Sequence, residues 1–309
     1  MDWNHAAIEK QIEFNFKHTD LLFLALSHPS YAKEFGKPEE NSQRLTWLGE
    51  AVYKMTLTHY LYYNCPYLPV ANYKGLQQKL IGSEQLTKTW FQLGLGESYP
   101  FLALKEERAL LRQKKNNPFE SAFLALVGAI HCDRGFSQAR NWLIKHAISP
   151  LLESHLQDNS DRIEPVTQVK YLGNVLLGAI VSNLLYKLLP GVDVKVLNAF
   201  QRQLVGKTRV AEYKTHSQNL GNEGKKGFKQ FLGEKYLEGD AANNRTAFNQ
   251  MRDWFLQEFV EEEEILREAI AQLLKAGKPQ KWIVRTVLGY ASKDADAGRD
   301  RFHELMDEG

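Results

Sequence analysis

The sequence predicts an all-α protein made of two related helical segments followed by a helical tail. Apolar residues recur at spacings of three and four along most of the chain, and no run alternates convincingly with a period of two. Prolines and glycines interrupt this pattern where helices would have to end, as at Pro66, Pro100, Pro150 and Pro190. At 309 residues, the chain is long enough for two domains and a tail.

The periodicity also defines the predicted elements and their grouping. The polar stretch ESHLQDNSDRIEP (153–165) is the predicted linker, because it has no apolar period and separates two helical runs. It divides a first domain (1–152) from a second domain (166–262), and residues 263–309 form the tail. The predicted helices span 4–14, 19–27, 42–63, 70–93, 118–133, 136–152, 167–189, 192–216, 225–237, 244–260, 262–276, 279–289 and 295–306.

The composition is that of an ordinary globular protein, with 43% hydrophobic and 25% charged residues. The formal net charge is only +2, but residues 165–233 carry 10 Lys and Arg against 3 Asp and Glu, so this segment is locally basic. Two separated cysteines, Cys65 and Cys132, predict a reducing compartment rather than disulfides or a zinc site. With no signal-peptide pattern and no uninterrupted apolar span, we expect a cytoplasmic protein without a membrane partner.

The two segments share sequence blocks in the same order. One apolar helix resembling another would mean little, but three ordered blocks at similar spacings predict a duplicated domain. The aligned blocks are WLGEAVYKMTLTHYLYYNCPYL (47–68) with YLGNVLLGAIVSNLLYKLLPGV (171–192), KGLQQKLIGSEQLTKTW (74–90) with NAFQRQLVGKTRVAEYK (198–214), and FLALVGAIHCDRG (123–135) with GFKQFLGEKYLEGD (227–240).

The run RLTWLGE (44–50) resembles the signature helix of the ribonuclease III domain, which reads Arg-Leu-Glu-Phe-Leu-Gly-Asp in the family. ALSHPSYAKE (25–34), LGLGESYPFLALKEE (93–107) and the segment from Ser121 to Asp133 match further family motifs. The resemblance covers about 15–150 and, more weakly, about 165–260. It implies an all-helical fold in which two domains pair to form a valley for duplex RNA, here as a pseudo-dimer within one chain.

The resemblance also implies where a metal site would lie. The family hydrolyses phosphodiesters with Mg²⁺, which needs several carboxylate ligands converging from two helices. The matching positions are Thr46, Glu50, Ser121 and Leu124 in the first domain, and Lys170, Asn174, Lys226 and Lys229 in the second. Only Glu50 is acidic, so we predict no catalytic residue, no metal and no cofactor. Glu120 neighbours a matching position, but one residue rotates a helical side chain by about 100°, so it should face elsewhere.

Basic residues of the second segment form a predicted RNA-backbone site, because lysines and arginines neutralise phosphates. The alternatives are plain solvent-facing charges and pairing with an acidic protein partner. The candidate residues are Lys207, Arg209, Lys214, Lys225, Lys226 and Lys229.

The tail (266–306) has the pattern helix, Gly-Lys-Pro break, short helix, turn and last helix. Two short helices around a tight turn are compatible with a helix-turn-helix that enters a DNA groove. A cap on the second domain, or a protein-docking element, fits the same pattern. The sequence is compatible with a helix-turn-helix, with a cap and with a protein-docking element.

Together these observations predict a non-catalytic ribonuclease III-like protein that binds double-stranded or structured RNA, or that acts as a scaffold in a ribonucleoprotein or on a ribosome. The first alternative is a Mg²⁺-dependent double-stranded RNA endonuclease involved in RNA processing, acting through Glu50 and Glu120 or with a catalytic partner subunit. The second alternative is a DNA-binding or protein-interaction module that uses the C-terminal helices.

Overall fold

The computed structural model describes residues 4–36, 41–96, 98–101, 117–152, 165–219, 227–241 and 246–307. Within these ranges all regular structure is helical, and the only β-pairing is an isolated bridge between Ser27 and Phe101. The predicted all-α class is confirmed.

The helices begin and end close to the predicted positions. In chain order they are α1 (His5–Ile12), α2 (Thr19–Leu26), α3 (Pro29–Glu34), α4 (Gln43–Asn64), α5 (Val70–Leu80), α6 (Ser83–Gln92), α7 (Pro118–Arg134), α8 (Phe136–Leu143), α9 (Ser149–Leu152), α10 (Pro165–Leu188), α11 (Val194–Leu204), α12 (Lys207–Asn219), α13 (Phe228–Ala241), α14 (Ala247–Phe259), α15 (Glu262–Lys275), α16 (Gln280–Thr286) and α17 (Ala295–Asp307). A π-helical turn (Ile144–Ile148) joins α8 to α9, and a 3₁₀ turn (Ser292–Asp294) precedes α17.

The segment after His28 is a short helix that is absent from the predicted set, with Pro29 at its first position and the His28 side chain accepting from the Ser30 N–H. Two predicted helices are each interrupted by a glycine. The helix predicted over 70–93 breaks at Gly82, whose extended backbone (φ −69°, ψ 148°) ends the ladder of α5. The helix predicted over 192–216 breaks at Gly206, the position aligned with Gly82.

The core of the first segment is the crossing of α4 and α7, where glycines bring the two backbones into contact. A Cβ atom on Gly49 would lie 1.8 Å from the carbonyl oxygen of Leu124, and one on Gly128 would lie 2.2 Å from that of Leu45. No larger side chain fits at either position without moving a helix. We call this contact the first crossing.

The crossing of α10 and α13 has the same construction. A Cβ atom on Gly173 would lie 1.7 Å from the carbonyl oxygen of Lys229, and one on Gly233 would lie 2.2 Å from that of Val169. In the alignment of sequence blocks, Gly173 pairs with Gly49 and Gly233 pairs with Gly128. We call this contact the second crossing, and its distances agree with those of the first within 0.1 Å.

The chain forms two compact units. The first contains residues 1–179 and 229–248, and therefore both crossings. The second contains residues 180–228 and 249–309. These units describe packing and do not locate a duplication, so the predicted domain boundaries at 152, 166 and 262 stay a prediction.

In the second unit the tail packs on α11, α12 and the turn before α11. A Cβ atom on Gly191 would lie 2.2 Å from Cγ2 of Thr286, and Gln203 donates to Glu268 over 2.8 Å. Glu263 pairs with Arg301, which fastens α15 to α17. These contacts attach the tail to the rest of the second unit.

Helix α10 is long and apolar enough to span a bilayer, with a mean hydropathy of 1.3 over its best window. The structure buries 67% of that window inside the protein. Core helices of globular proteins combine length and burial in the same way.

Candidate functional site

In the first crossing, the Thr46 hydroxyl lies within hydrogen-bond distance of two backbone carbonyl groups. Its oxygen lies 3.0 Å from the carbonyl oxygen of Ser42, one turn earlier on α4, and 3.0 Å from that of Ser121 on α7. The hydroxyl has one proton to share between these two acceptors. Thr46 therefore joins α4 to α7 at the position where the family has a carboxylate.

Glu50, the one acid at a matching position, has a partner on its own helix. Its carboxylate oxygen lies 2.5 Å from Nζ of Lys54, in an i,i+4 ion pair whose side chains are both about two-fifths exposed. Such half-exposed pairs contribute little to stability, typically about 0.3–0.5 kcal/mol. The pair nevertheless neutralises the charge that a metal ion would need.

The other first-crossing positions offer no ligand set for a metal. Leu124 is buried and has no oxygen in its side chain, and Ser121 is half-buried. In the described parts of the chain, no group of three or more His, Cys, Asp or Glu side chains is placed to hold a metal ion. Mg²⁺ prefers six oxygen ligands in near-octahedral geometry. The residues at this crossing therefore do not fit a catalytic Mg²⁺.

The second crossing carries cations at the matching positions. Nζ of Lys229, on α13, donates to Oδ1 of Asn174, on α10, over 2.5 Å. Lys170 lies one turn before Asn174 and is exposed. Burial lowers the pKa of Lys229 and the neighbouring charge of Lys170 lowers it further. Lys226, the fourth matching position, lies outside the described residues.

The remaining predicted RNA-binding residues are placed differently from one another. Lys207 is exposed at the start of α12, and Lys214 is half-buried on the same helix. Arg209 pairs with Glu212 over 3.0 Å and with Glu264 of the tail over 2.8 Å. Burial alone would lower the pKa of Arg209, but these two ion pairs outweigh it and raise the pKa. Arg209 is therefore committed to acids within its own unit, and Lys225 lies outside the described residues.

Sequence reasoning missed a charged cluster in the first unit that joins α13 to α4 and α8. Oδ2 of Asp240 lies 3.0 Å from Nε2 of His59, and its Oδ1 lies 3.2 Å from Arg140. Burial acts to raise the pKa of Asp240, but its bonds to His59 and Tyr63 and the charge of Arg140 lower it to about 2. No signal in the sequence links these positions, because 100 residues or more separate Asp240 from both His59 and Arg140.

Three further hydrogen bonds, made by two side chains, join α10 to the first segment within the same unit. Nε2 of Gln168 donates to the carbonyl oxygens of Pro66 and Leu68 over 2.9 and 2.8 Å. The Tyr171 hydroxyl donates to Oε1 of Gln77 over 2.7 Å. Both helices of the second crossing are thus attached to the first segment by polar side chains.

Comparison with known proteins places these features in a family. A model described as ribonuclease-III-like matches residues 18–151. The chain is 33% identical over 167 residues to Ribonuclease 3 of Chlamydia trachomatis serovar L2, covering 52% of this chain and 70% of that protein. It is 31% identical over 153 residues to Ribonuclease 3 of Syntrophotalea carbinolica, covering 49% and 63% respectively.

Among solved structures, the nuclease domain of ribonuclease III from Campylobacter jejuni is 25% identical with a TM-score of 0.43, covering 52% of this chain and all of that one. The signature helix with Gly49 at the first crossing and the extent of the sequence match to the Chlamydia protein lead to one conclusion: this chain belongs to the ribonuclease III family.

Proposed function

We propose that this protein holds double-stranded or structured RNA without cutting it. Membership of the ribonuclease III family supports a function connected with double-stranded RNA. The observation that carries the non-catalytic part is the first crossing, where Thr46 bonds to backbone carbonyls, Leu124 is buried and Glu50 pairs with Lys54.

The physical argument is electrostatic. A metal-assisted phosphodiesterase must hold a dication between its carboxylates and the substrate phosphate. One carboxylate already paired with a lysine provides no net negative charge for this purpose. At the second crossing, Lys170 and Lys229 repel a dication and attract a phosphate.

The proposal includes a duplication. The matching glycine contacts of the two crossings, and the aligned breaks at Gly82 and Gly206, support two copies of one helical domain in this chain. Two copies on one chain form a pseudo-dimer at high effective concentration, so neither copy has to pair with itself. Each copy is then free to lose different side chains, as the two crossings have done.

The proposal extends to a scaffold role in a ribonucleoprotein or on a ribosome. In such an assembly the RNA is held permanently, and a retained cleavage site would be harmful. This step rests on analogy with the fold rather than on a site, and it is the least specific part of the proposal.

A Mg²⁺-dependent double-stranded RNA endonuclease is the second candidate, because the relatives in the comparison bear the name Ribonuclease 3. It requires Glu50 to leave Lys54 and further acids to approach it, or a partner subunit that supplies the metal site. The tail interpretation as a DNA-binding module lacks such support, since α15 and α17 are fastened within their own unit.

The test compares ligands under matched conditions. Purified protein is titrated with a labelled RNA duplex, the corresponding DNA duplex and the single-stranded RNA across a salt series, and thermal unfolding is followed with and without Mg²⁺. We expect salt-sensitive binding with preference for the RNA duplex and no stabilisation by Mg²⁺ beyond that by a matched monovalent salt. Absence of duplex binding would contradict the proposal, and specific stabilisation by Mg²⁺ that Glu50→Ala removes would support the endonuclease.

A further inference from the structure

We propose that Lys170 and Lys229 form a phosphate-binding site at the second crossing, so that a backbone phosphate of duplex RNA lies where catalytic members of the family carry their metal ion. This inference rests on the proposed function, because it names the place at which the RNA is held. Both lysines stand at positions that align with acids in the family motifs.

The geometry brings the two ammonium groups to one face. Lys170 and Asn174 are four residues apart on α10, so their side chains lie side by side. Asn174 in turn accepts a hydrogen bond from Nζ of Lys229 on α13. The amide of Asn174 therefore anchors one ammonium group next to the other, and the close backbone contact at Gly173 fixes the spacing of the two helices.

Among the described residues, the site has no counter-ion. Other cations close to the two crossings have acids beside them: Lys54 has Glu50 and Arg140 has Asp240. In the portion of the chain that the structure describes, Lys170 and Lys229 form no ion pair. The pKa of Lys229 is lowered mainly by burial and secondly by the positive charge of Lys170.

This arrangement of positive charge favours a phosphate group over a metal ion as the ligand. A phosphate offers several anionic oxygens to the ammonium groups, and Lys binds phosphate as a point charge without strict geometry. Lys229 has two N–H donors left after its bond to Asn174, and the exposed Lys170 has three. A bound phosphate would relieve the repulsion between the lysines, whereas a metal ion would increase it.

The first experiment is a salt series of duplex RNA binding with matched variants. Lys170→Gln/Lys229→Gln removes the site, and Lys187→Gln/Lys195→Gln removes two exposed lysines elsewhere in the same basic segment. We expect the site variant to weaken binding about tenfold and to reduce the salt slope by about 1, with little change in the control. Equal affinity of the site variant and the wild type, or equal weakening by both pairs, would overturn the site.

Folding is controlled separately. Circular dichroism and thermal unfolding accompany each variant, and Lys170→Gln alone provides a second version that removes only an exposed side chain. If the double variant fails to fold, binding of duplex RNA by Lys170→Gln tests the site. A loss of affinity and of salt slope supports the site, and unchanged binding overturns it.

A second experiment does not need RNA. The rate at which an amine-reactive reagent labels Lys229 is measured by mass spectrometry, relative to Lys187, in inorganic phosphate and in chloride at equal ionic strength. We expect phosphate to slow labelling of Lys229 at least about twofold, because the bound anion raises the pKa of its ammonium group. Equal rates in both salts would overturn the site.

The two experiments distinguish a failure of the proposed phosphate site from a failure of the proposed RNA-binding function. If the wild type binds duplex RNA with a normal salt slope but phosphate does not protect Lys229, the proposed function stands and the site is wrong. If phosphate protects Lys229 but no duplex binds, the site stands as an anion site and the proposed RNA function is wrong. If no duplex binds and phosphate does not protect Lys229, both proposals are overturned.

Discussion

The first and second crossings have nearly the same backbone contacts and opposite electrostatic character. In the first, Gly49 touches the carbonyl of Leu124, and the single acid Glu50 is neutralised by Lys54. In the second, Gly173 touches the carbonyl of Lys229, and the cations Lys170 and Lys229 have no acid of their own in the described residues. Both crossings pack backbone on backbone, and they differ in the charge of the side chains beside that contact.

The two crossings separate the constraints of packing from those of charge. A glycine at a helix crossing cannot be exchanged without moving two helices, so the fold requires it whatever the charge of the neighbouring side chains. A carboxylate that binds a metal contributes nothing to packing. The same place in the fold can hold a hydroxyl that bonds to a backbone carbonyl, as Thr46 does, or a lysine, as Lys229 does.

The largest expected effect is the loss of stability when either crossing glycine gains a side chain. Gly49→Ala and Gly173→Ala each place a Cβ atom within 2 Å of a carbonyl oxygen, so we expect each to destabilise the protein by at least about 3 kcal/mol in urea unfolding. Gly178→Ala on α10 is the matched control, because nothing lies within 4 Å of its Cβ position. It should be neutral or stabilise by up to about 1 kcal/mol. Tolerance of Gly173→Ala alone would break the equivalence of the two crossings.

The next effect concerns the cluster that attaches α13 to the first segment. Asp240→Asn leaves His59 and Arg140 largely buried without their acid, so we expect a loss of about 2 kcal/mol. Asp253→Asn removes an exposed carboxylate paired with Arg252 and should cost less than about 0.5 kcal/mol. Equal effects of the two substitutions in thermal unfolding would show that the cluster does not hold the second crossing in place.

The same carboxylate predicts a pH dependence. The pKa of Asp240 is lowered to about 2, whereas an unfolded Asp titrates near 3.9. Its stabilising contribution is therefore present above about pH 4 and is lost as the pH falls through about 2. The difference in unfolding free energy between wild type and Asp240→Asn should shrink between pH 5 and pH 2.5 in urea titrations. A constant difference over this range would contradict the lowered pKa.

A smaller effect is expected at Thr46, whose hydroxyl joins α4 to α7. Thr46→Val keeps the shape and removes the hydrogen bond, so we expect a loss of about 1 kcal/mol and unchanged affinity for duplex RNA. Thr215→Val, which removes an exposed hydroxyl bonded to the carbonyl oxygen of Ala211 on its own helix, controls for the substitution. A larger effect on RNA affinity than on stability would give Thr46 a role in binding.

The smallest expected effect tests whether the ion pair with Lys54 prevents Glu50 from binding a metal ion. Lys54→Ala frees Glu50 from its ion pair and should change stability by less than about 0.5 kcal/mol. Because the other matching positions provide no ligands, freeing this carboxylate should produce no Mg²⁺-dependent cleavage. Cleavage by Lys54→Ala that the wild type lacks would show that Lys54 masks a surviving metal site.

Much of the fold was predictable from the sequence because helical periodicity and the repeated blocks are local signals. The alignment of the blocks placed Gly173 opposite Gly49, and the structure gives both the same close contact. The breaks at Gly82 and Gly206 were missed, although their aligned positions in the two segments were a signal that could have located them.

The candidate site was less predictable, because its properties depend on residues distant in sequence. The matching positions could be identified from the motifs, but the partners of the charged residues could not. Arg209 appeared as an RNA-binding candidate, and Glu264 of the tail, 55 residues later, neutralises it in the folded chain. Asp240 carried no motif at all, and only folding brings it to His59 and Arg140.

The most direct test of the central claim is a cleavage assay under single-turnover conditions, with protein in excess over an end-labelled RNA duplex. Bound and cut RNA are followed in the same samples, with Mg²⁺ and with a chelator at matched ionic strength. The account predicts that the duplex is bound with similar affinity in both buffers and remains intact. Mg²⁺-dependent products that disappear in Glu50→Ala would contradict it, because they would require a metal site that the first crossing does not provide.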